Sequence, residues 1–298
     1  MKNKTDTWTI ISCQVNVADE EMFSWLLFKQ GTLGLTIENI DEHTLSIGAS
    51  FHPQDLSKDN IAELLRQLKK AGLEQAASTL KINNIPNEDW MTNWKKHFIP
   101  FTIGDSLLIC PPWKEKSIAN KEYESLTKII IDPGMAFGTG LHATTSFCLE
   151  AIEHFVQGPN ILDVGTGSGI LAISCALLFP ALNIVAIDND ENSTTNAQHN
   201  IDLNKVTKQI TLEQIDLKAF QSQTKTQFNT ILSNLTAEVI IEFLPKYDKL
   251  LASSGHLILA GIIEERLPLI EAALSKYPLK QIKKTIDRGW VGLVLTRA

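Results

Sequence analysis

The feature that most constrains this sequence is a glycine-rich turn directly after a short apolar strand. Residues 161–164 form the predicted strand, glycine then occupies every second position at Gly165, Gly167 and Gly169, and an apolar helix follows. Glycines at a strand-to-helix turn permit a tight turn and a close backbone approach to a ligand, because no Cβ intervenes. The stretch therefore predicts a ligand site at the carboxyl end of a buried strand.

The spacing of these glycines separates two classes of cofactor. Dinucleotide sites usually read G-x-G-x-x-G, which seats a pyrophosphate on the helix N-terminus. Here Asp163 precedes an alternating Gly-x-Gly-x-Gly run, and this pattern resembles motif I of the Rossmann-like methyltransferases. The resemblance implies S-adenosylmethionine as cofactor, with Asp163 holding its cationic amino-acid end directly or through water.

An acidic residue ends the next predicted strand. Asp188 stands there, nineteen residues after Gly169, and is expected to accept hydrogen bonds from both ribose hydroxyls. Asp190 could compete for this role, and Asp188 could instead be a helix N-cap. The acidic residue alone does not distinguish NAD from a methyl donor.

A second glycine-rich stretch, residues 132–140, precedes His142 and the pair Thr144-Thr145. It lacks the Gly-Lys-Ser/Thr ending of a phosphate-binding loop. We expect a loop that folds over a ligand and is tied by the hydroxyl of Thr144 or Thr145. His142 on its own is more often structural than catalytic, and the spacing around it predicts no metal site.

Asn234 follows the fourth strand of the nucleotide-binding half. Open α/β sheets bind ligands at the carboxyl ends of their strands, so Asn234 is predicted to be catalytic. Its amide oxygen could accept a hydrogen bond from a substrate amine and aim the nitrogen lone pair at a methyl group. The alternative is an asparagine that satisfies the backbone of a loop.

The order of predicted elements indicates an α/β protein with two domains and a linker. Residues 1–85 read β-α-β-β-α-β, the ferredoxin-like α+β unit, and residues 86–120 read as a linker that carries a short helix at Asp89–Phe98. From residue 121 to 298, strands alternate with helices, starting at the strand Lys128–Ile131. This alternation predicts a parallel Rossmann-like sheet with helices on both faces and an antiparallel edge at residues 282–295.

Charge and apolar patterning narrow the classes of partner. The chain of 298 residues has a formal net charge of −7, and residues 1–85 hold eight basic against eleven acidic residues. The third predicted strand of that domain has no aromatic residue before Phe51, so RNA recognition is disfavoured and a basic protein substrate is favoured.

Membrane insertion and secretion are not predicted. The longest apolar run, Gly169–Phe179, is too short to span a bilayer. The N-terminus has no signal-peptide pattern. Four cysteines without a Cys-x-x-Cys pair are expected to be reduced thiols, and the expected location is the cytoplasm.

Taken together, the motifs resemble those of the bacterial ribosomal protein L-eleven methyltransferase family over nearly the whole chain. The most specific stretch is Phe-Gly-Thr-Gly-x-His-x-Thr-Thr at residues 137–145. The resemblance implies an N-terminal substrate-recognition domain and methylation of amines, both lysine side chains and an N-terminal α-amine, on a large-subunit ribosomal protein. The donor site that it implies includes Thr145, Gly165, Asp188 and Asn234, to which the prediction adds Gly138, His142, Asp163 and Gly167.

The sequence departs from the family pattern at a few positions. Thr166 occupies a place often held by cysteine, and Leu141 and Ala143 differ from some members. The alternatives left open are a methyltransferase acting on RNA or on another protein, an NAD-dependent oxidoreductase, and a non-catalytic ribosome-binding module. The glycine spacing and the missing hydride-transfer partner argue against the oxidoreductase.

Overall fold

The computed structural model describes residues 7–32, 34–41, 43–51, 58–86, 99–118, 123–132 and 142–297. The chain divides into two compact units, residues 1–98 and residues 99–298. The predicted linker helix at Asp89–Phe98 lies outside the described residues. So does most of the second glycine-rich stretch, including Gly138.

The N-terminal unit is one antiparallel sheet with helices packed on one face. Its elements in chain order are β1 (Thr7–Asn16), α1 (Glu20–Lys29), β2 (Gly34–Asn39), β3 (Thr44–Phe51), α2 (Lys58–Lys70), α3 (Glu74–Thr79) and β4 (Lys81–Pro86). The strands are ordered β2-β3-β1-β4, and every neighbouring pair is antiparallel. Alternate side chains of β1 and β3, such as Ile11 and Ile47, are buried against Phe23 of α1 and Leu64 of α2, because successive strand residues point to opposite faces.

The C-terminal unit begins with a small sheet that the sequence did not predict. It consists of β5 (Phe101–Ile103), β6 (Leu107–Cys110) and β7 (Thr127–Ile130), in which β5 and β6 are antiparallel and β6 and β7 are parallel. The sequence analysis had placed β5 and β6 in the linker and β7 in the large sheet. The apolar side chains of Ile103, Leu107 and Ile129 are buried in the main core, so these residues belong to the C-terminal unit.

The large sheet has seven strands and is mixed. The strands are β8 (Asn160–Val164), β9 (Asn183–Asp188), β10 (Ile210–Gln214), β11 (Phe228–Asn234), β12 (Leu251–Ile263), β13 (Leu279–Asp287) and β14 (Trp290–Arg297). Their order is β10-β9-β8-β11-β12-β14-β13. The pairs from β10 to β12 are parallel, and β14 lies antiparallel between β12 and β13. The predicted parallel sheet with an antiparallel edge is thus confirmed.

Helices cover both faces of this sheet. They are α4 (Ala143–Phe155), α5 (Ile170–Leu178), α6 (Glu191–Leu203), α7 (Leu217–Gln223), α8 (Ala237–Leu250) and α9 (Leu267–Leu274). Neighbouring residues of β8 point to opposite faces of the sheet. Ile161 packs with α4, α5 and α6 on one face, and Leu162 packs with α7, α8 and α9 on the other. The sequence analysis missed α7, which has only seven residues. No helix among the described residues is long and apolar enough to cross a membrane.

Candidate functional site

A cavity of about 370 Å³ lies at the carboxyl ends of β8, β9, β10 and β11. Parallel strands end at the same edge of a sheet, so this topology brings together residues that are far apart in the chain. Polar and apolar groups from the strand ends and the helices share the lining, which consists of Thr145, Val164, Gly165, Thr166, Gly167, Ile170, Leu171, Ile187, Asp188, Asn189, Ser193, Ile215, Asp216, Leu217, Asn234, Leu235, Val239 and Phe243.

The glycine-rich turn forms one wall of the cavity. Gly165, Gly167 and Gly169 have φ angles of +71°, +55° and +83°, a region that other residues rarely adopt. A Cβ on Gly165 would lie 2.7 Å from the Leu235 side chain. The Gly165 amide donates to the Ile187 carbonyl at 2.9 Å, which attaches the turn to β9. The positive φ angles therefore favour glycine at all three positions, and a Cβ at Gly165 would also require the Leu235 side chain to shift.

Asp188 lies at the end of β9 and faces the cavity. Its Oδ2 accepts a hydrogen bond from the Gly167 amide at 3.0 Å, and its Oδ1 accepts one from the Asp190 amide at 3.0 Å. A carboxylate oxygen accepts more than one hydrogen bond, so both oxygens keep capacity for a ligand. Asp190 instead caps α6, where backbone and side-chain hydrogen bonds from Asn192 and Ser193 lower its pKa.

Asp163 lies beneath the glycine turn and is not part of the cavity wall. Side chains alternate along β8, so Asp163 points to the same face as Ile161, and its side chain is 1% exposed. The Thr166 hydroxyl donates to its Oδ2 at 2.6 Å. Burial raises the pKa of Asp163 to about 6, opposed by the hydrogen bond from Thr166. The structure thus gives the unusual Thr166 a partner and places Asp163 behind the turn, tied to it through the Thr166 side chain.

Thr145 and Asn234 meet on the opposite side of the cavity. Thr145 lies in the first turn of α4 and is almost fully buried, and Asn234 is the last residue of β11. The Asn234 Nδ2 donates to the Thr145 Oγ1 at 3.4 Å. Within the described part of the chain, the Asn234 Oδ1 accepts no hydrogen bond and is available to a ligand.

His142 begins α4 and does not line the cavity. Its Nδ1 lies 2.8 Å from the Thr144 hydroxyl and accepts from the Thr144 amide at 3.4 Å, so it acts as the N-cap of the helix. The ring packs edge-on against Trp290 at 4.7 Å. Burial, with a smaller effect of Arg288, lowers the pKa of His142. Since Thr144 is engaged by His142, Thr145 is the threonine that reaches the site.

The sequence analysis missed the apolar side of the cavity and one carboxylate. Ile215, Leu217 and Phe243 form apolar walls, and they come from a strand end and two helices whose proximity depends on tertiary packing. Asp216 follows β10 and accepts hydrogen bonds from the first amides of α7. Asp216 could have been found by the same signal as Asp188, which is an acidic residue at the end of a strand.

Comparisons with known proteins identify the family of the chain. The family model described as "Ribosomal protein L11 methyltransferase (PrmA)" matches residues 7–298. The chain is 31% identical over 314 residues to a protein of that name from Pelobacter propionicus, covering 99% of both chains. It is 37% identical over 235 residues to one from Exiguobacterium sibiricum, covering 78% of this chain and 72% of the relative.

A solved structure shows the same relationship. The ribosomal protein L11 methylase from Lactobacillus delbrueckii subsp. bulgaricus is 32% identical, with a TM-score of 0.61. The match covers 67% of this chain and 99% of that chain. The predicted family motifs and the match over almost the whole length lead to one conclusion: this chain belongs to the ribosomal protein L11 methyltransferase family and is a protein methyltransferase.

Proposed function

We propose that this enzyme transfers methyl groups from S-adenosylmethionine to amines of the large-subunit ribosomal protein L11, both lysine side chains and the N-terminal α-amine. The observation that carries the proposal is the convergence of the glycine turn, Asp188 and Asn234 on one cavity. The substrate is the one in the names of the relatives described above.

The chemistry of the cavity fits S-adenosylmethionine. The Asp188 carboxylate can accept hydrogen bonds from two ribose hydroxyls, and apolar side chains such as Ile187 and Leu217 can pack on the adenine. The volume of about 370 Å³ lies in the range of small-molecule sites. When bound, this cofactor supplies an electrophilic methyl group on a sulfonium ion.

The amine would be oriented by Asn234. Its Oδ1 can accept a hydrogen from the substrate nitrogen, while Thr145 holds its Nδ2. Orientation of this kind can lower the free-energy barrier of a reaction between two reactants by about 7–11 kcal/mol. A lysine amine has a pKa of about 10.4 in water and must lose a proton before it attacks. Burial in an apolar site lowers the pKa of an amine, so the walls around Phe243 favour the reactive form.

We infer that the N-terminal unit recognises the substrate protein. Its strand order β2-β3-β1-β4, with α1 between β1 and β2 and α2 and α3 between β3 and β4, supports the proposal of a ferredoxin-like α+β fold. The excess of acidic residues in 1–85 supports a basic protein partner and disfavours nucleic acid. A ribosomal substrate would place the reaction in the cytoplasm.

The experiment is transfer of radiolabelled methyl from S-adenosylmethionine to purified ribosomal proteins and, separately, to ribosomal RNA. We expect label in one small basic large-subunit protein, recovered as methylated lysine and methylated N-terminal residue after hydrolysis. Label only in RNA would contradict the proposed substrate. Failure of S-adenosylmethionine to bind, with binding of NAD instead, would contradict the proposed cofactor.

A further inference from the structure

Three asparagines form a ladder along one face of α6. Asn196, Asn200 and Asn204 are spaced four residues apart, so their side chains lie on the same side of the helix. Asn204 accepts a hydrogen bond from the Ile130 amide at 2.8 Å and donates to the Ile130 carbonyl at 2.6 Å. Asn204 thus binds the backbone of β7 as a residue of a neighbouring strand would.

Asn200 differs from the other two because it also reaches the glycine turn. Its side chain is fully buried. Its Oδ1 accepts from the Asp132 amide at 2.8 Å, and its Nδ2 donates to the Asp132 carbonyl at 3.2 Å and to the Ser168 carbonyl at 2.9 Å. The Nδ2 also lies 2.9 Å from the Asn196 Oδ1. One side chain therefore joins two backbone segments that are remote in the chain.

The Ser168 carbonyl lies within the glycine turn of the site. Ser168 separates Gly167, which lines the cavity and donates to Asp188, from Gly169, which precedes α5. A Cβ on Gly169 would lie 3.3 Å from Ala197, so α6 packs directly on this part of the turn. The Ser168–Gly169 peptide is thus contacted from α6 by packing and by one buried hydrogen bond, and its own amide donates to the Thr166 carbonyl at 2.9 Å within the turn.

We propose that Asn200 is a positioning residue for cofactor binding, because it holds the Ser168–Gly169 peptide of the glycine turn against the backbone of Asp132. Asn200 does not line the cavity and acts through the turn. The inference rests on the proposed S-adenosylmethionine site. Asn200 thereby has a role that Asn204 does not have, although Asn204 lies one helical turn away and makes a similar set of hydrogen bonds.

The test compares Asn200→Asp with the matched control Asn204→Asp. Each change removes the amide donor, keeps an acceptor oxygen, adds one charge and disturbs the contact of α6 with the β7 segment. Only Asn200→Asp removes the hydrogen bond to the Ser168 carbonyl and points a carboxylate oxygen at it. The measurements are the dissociation constant for S-adenosylmethionine by calorimetry, without substrate protein, and the melting temperature of each variant.

We expect Asn200→Asp to weaken S-adenosylmethionine binding about tenfold or more, while Asn204→Asp binds within about twofold of the unmodified protein. Equal affinity of the two folded variants would overturn the role of Asn200. If Asn200→Asp does not fold, the neutral pair Asn200→Ser and Asn204→Ser gives the same comparison, and equal affinity there also overturns it. Absence of binding by the unmodified protein would instead contradict the proposed cofactor.

Discussion

Asn234 and Thr145 are 89 residues apart in the chain and are joined at one side of the cavity by a hydrogen bond of 3.4 Å from Nδ2 to Oγ1. The bond connects the end of the central strand β11 to the first turn of α4. It holds the amide nitrogen of Asn234 on one side and leaves the amide oxygen for a ligand. Each member of the pair therefore has a separable role.

Replacement of Asn234 by alanine is expected to lower kcat far more than cofactor affinity, because the side chain is proposed to orient the attacking amine. Misplacement of a reacting group by about 1 Å can cost roughly a hundredfold in rate, and we expect a loss of that order. The measurement pairs kcat at saturating cofactor with the dissociation constant from calorimetry. Thr145→Ser, which keeps the acceptor oxygen, serves as control and should retain more activity than Thr145→Val. An unchanged turnover number for Asn234→Ala would rule out the role.

Replacement of Asp188 by asparagine is expected to weaken S-adenosylmethionine binding by about tenfold to a hundredfold, the equivalent of one charge-assisted hydrogen bond. Asp190→Asn is the matched control, because it makes the same change in charge two residues away. Asn caps a helix about as well as Asp, so this control should remain folded and keep its cofactor affinity. Equal losses of affinity in the two variants would show that charge alone, and no specific contact of Asp188, is responsible.

Replacement of Gly165 by alanine is expected to destabilise the fold and abolish cofactor binding. The new Cβ would be held at φ +71° and would lie 2.7 Å from the Leu235 side chain. Gly289→Ala is the control, because φ is +76° there and nothing lies within 4 Å of the new Cβ. The free energy of unfolding of the control should fall only by the cost of placing a residue with a Cβ in the left-handed backbone region, about 1–2 kcal/mol. Chemical denaturation and calorimetry measure the two effects, and full cofactor affinity in Gly165→Ala would contradict the assignment.

The buried Asp163 predicts a pH-dependent stability. Burial raises its pKa in the folded state to about 6 from an ordinary 3.8, so the folded protein binds more protons between these values. The contribution of this group to the free energy of unfolding therefore falls as the pH rises through that window. Above the window, the buried carboxylate is ionised and destabilises the fold to its full extent. Asp163→Asn removes the titration and keeps an acceptor for Thr166.

Relative to the unmodified protein, Asp163→Asn should become more stable by up to about 3 kcal/mol as the pH is raised from about 3.5 to 8. Denaturation with urea at a series of pH values measures this difference. Asp190→Asn is the control of opposite sign, because the folded-state pKa of Asp190 is lowered and its stabilising contribution is lost as the pH falls. A difference between Asp163→Asn and the unmodified protein that does not change with pH would refute the expectation.

The sequence by itself predicted several of the residues that the structure brings together at one cavity. The glycines of the turn, Asp188 and Asn234 are recognisable because each follows an apolar strand, and strand ends in a parallel sheet meet at one edge. The antiparallel edge formed by β13 and β14 was also predicted, from two short apolar segments that are close together in the chain. These features depend on neighbours in the chain, so the order of residues suffices.

Only the tertiary structure decided which way the other side chains point and what they contact. Asp163 lies under the turn and His142 caps α4, positions that no local pattern specified, and their predicted contacts with the cofactor stay predictions. Phe243 reaches the cavity, and Asn200 reaches the Ser168 carbonyl, from helices with no sequence motif that marks them. Such contacts are set by the packing of segments that are remote in the chain, and no local pattern specifies which segments will meet.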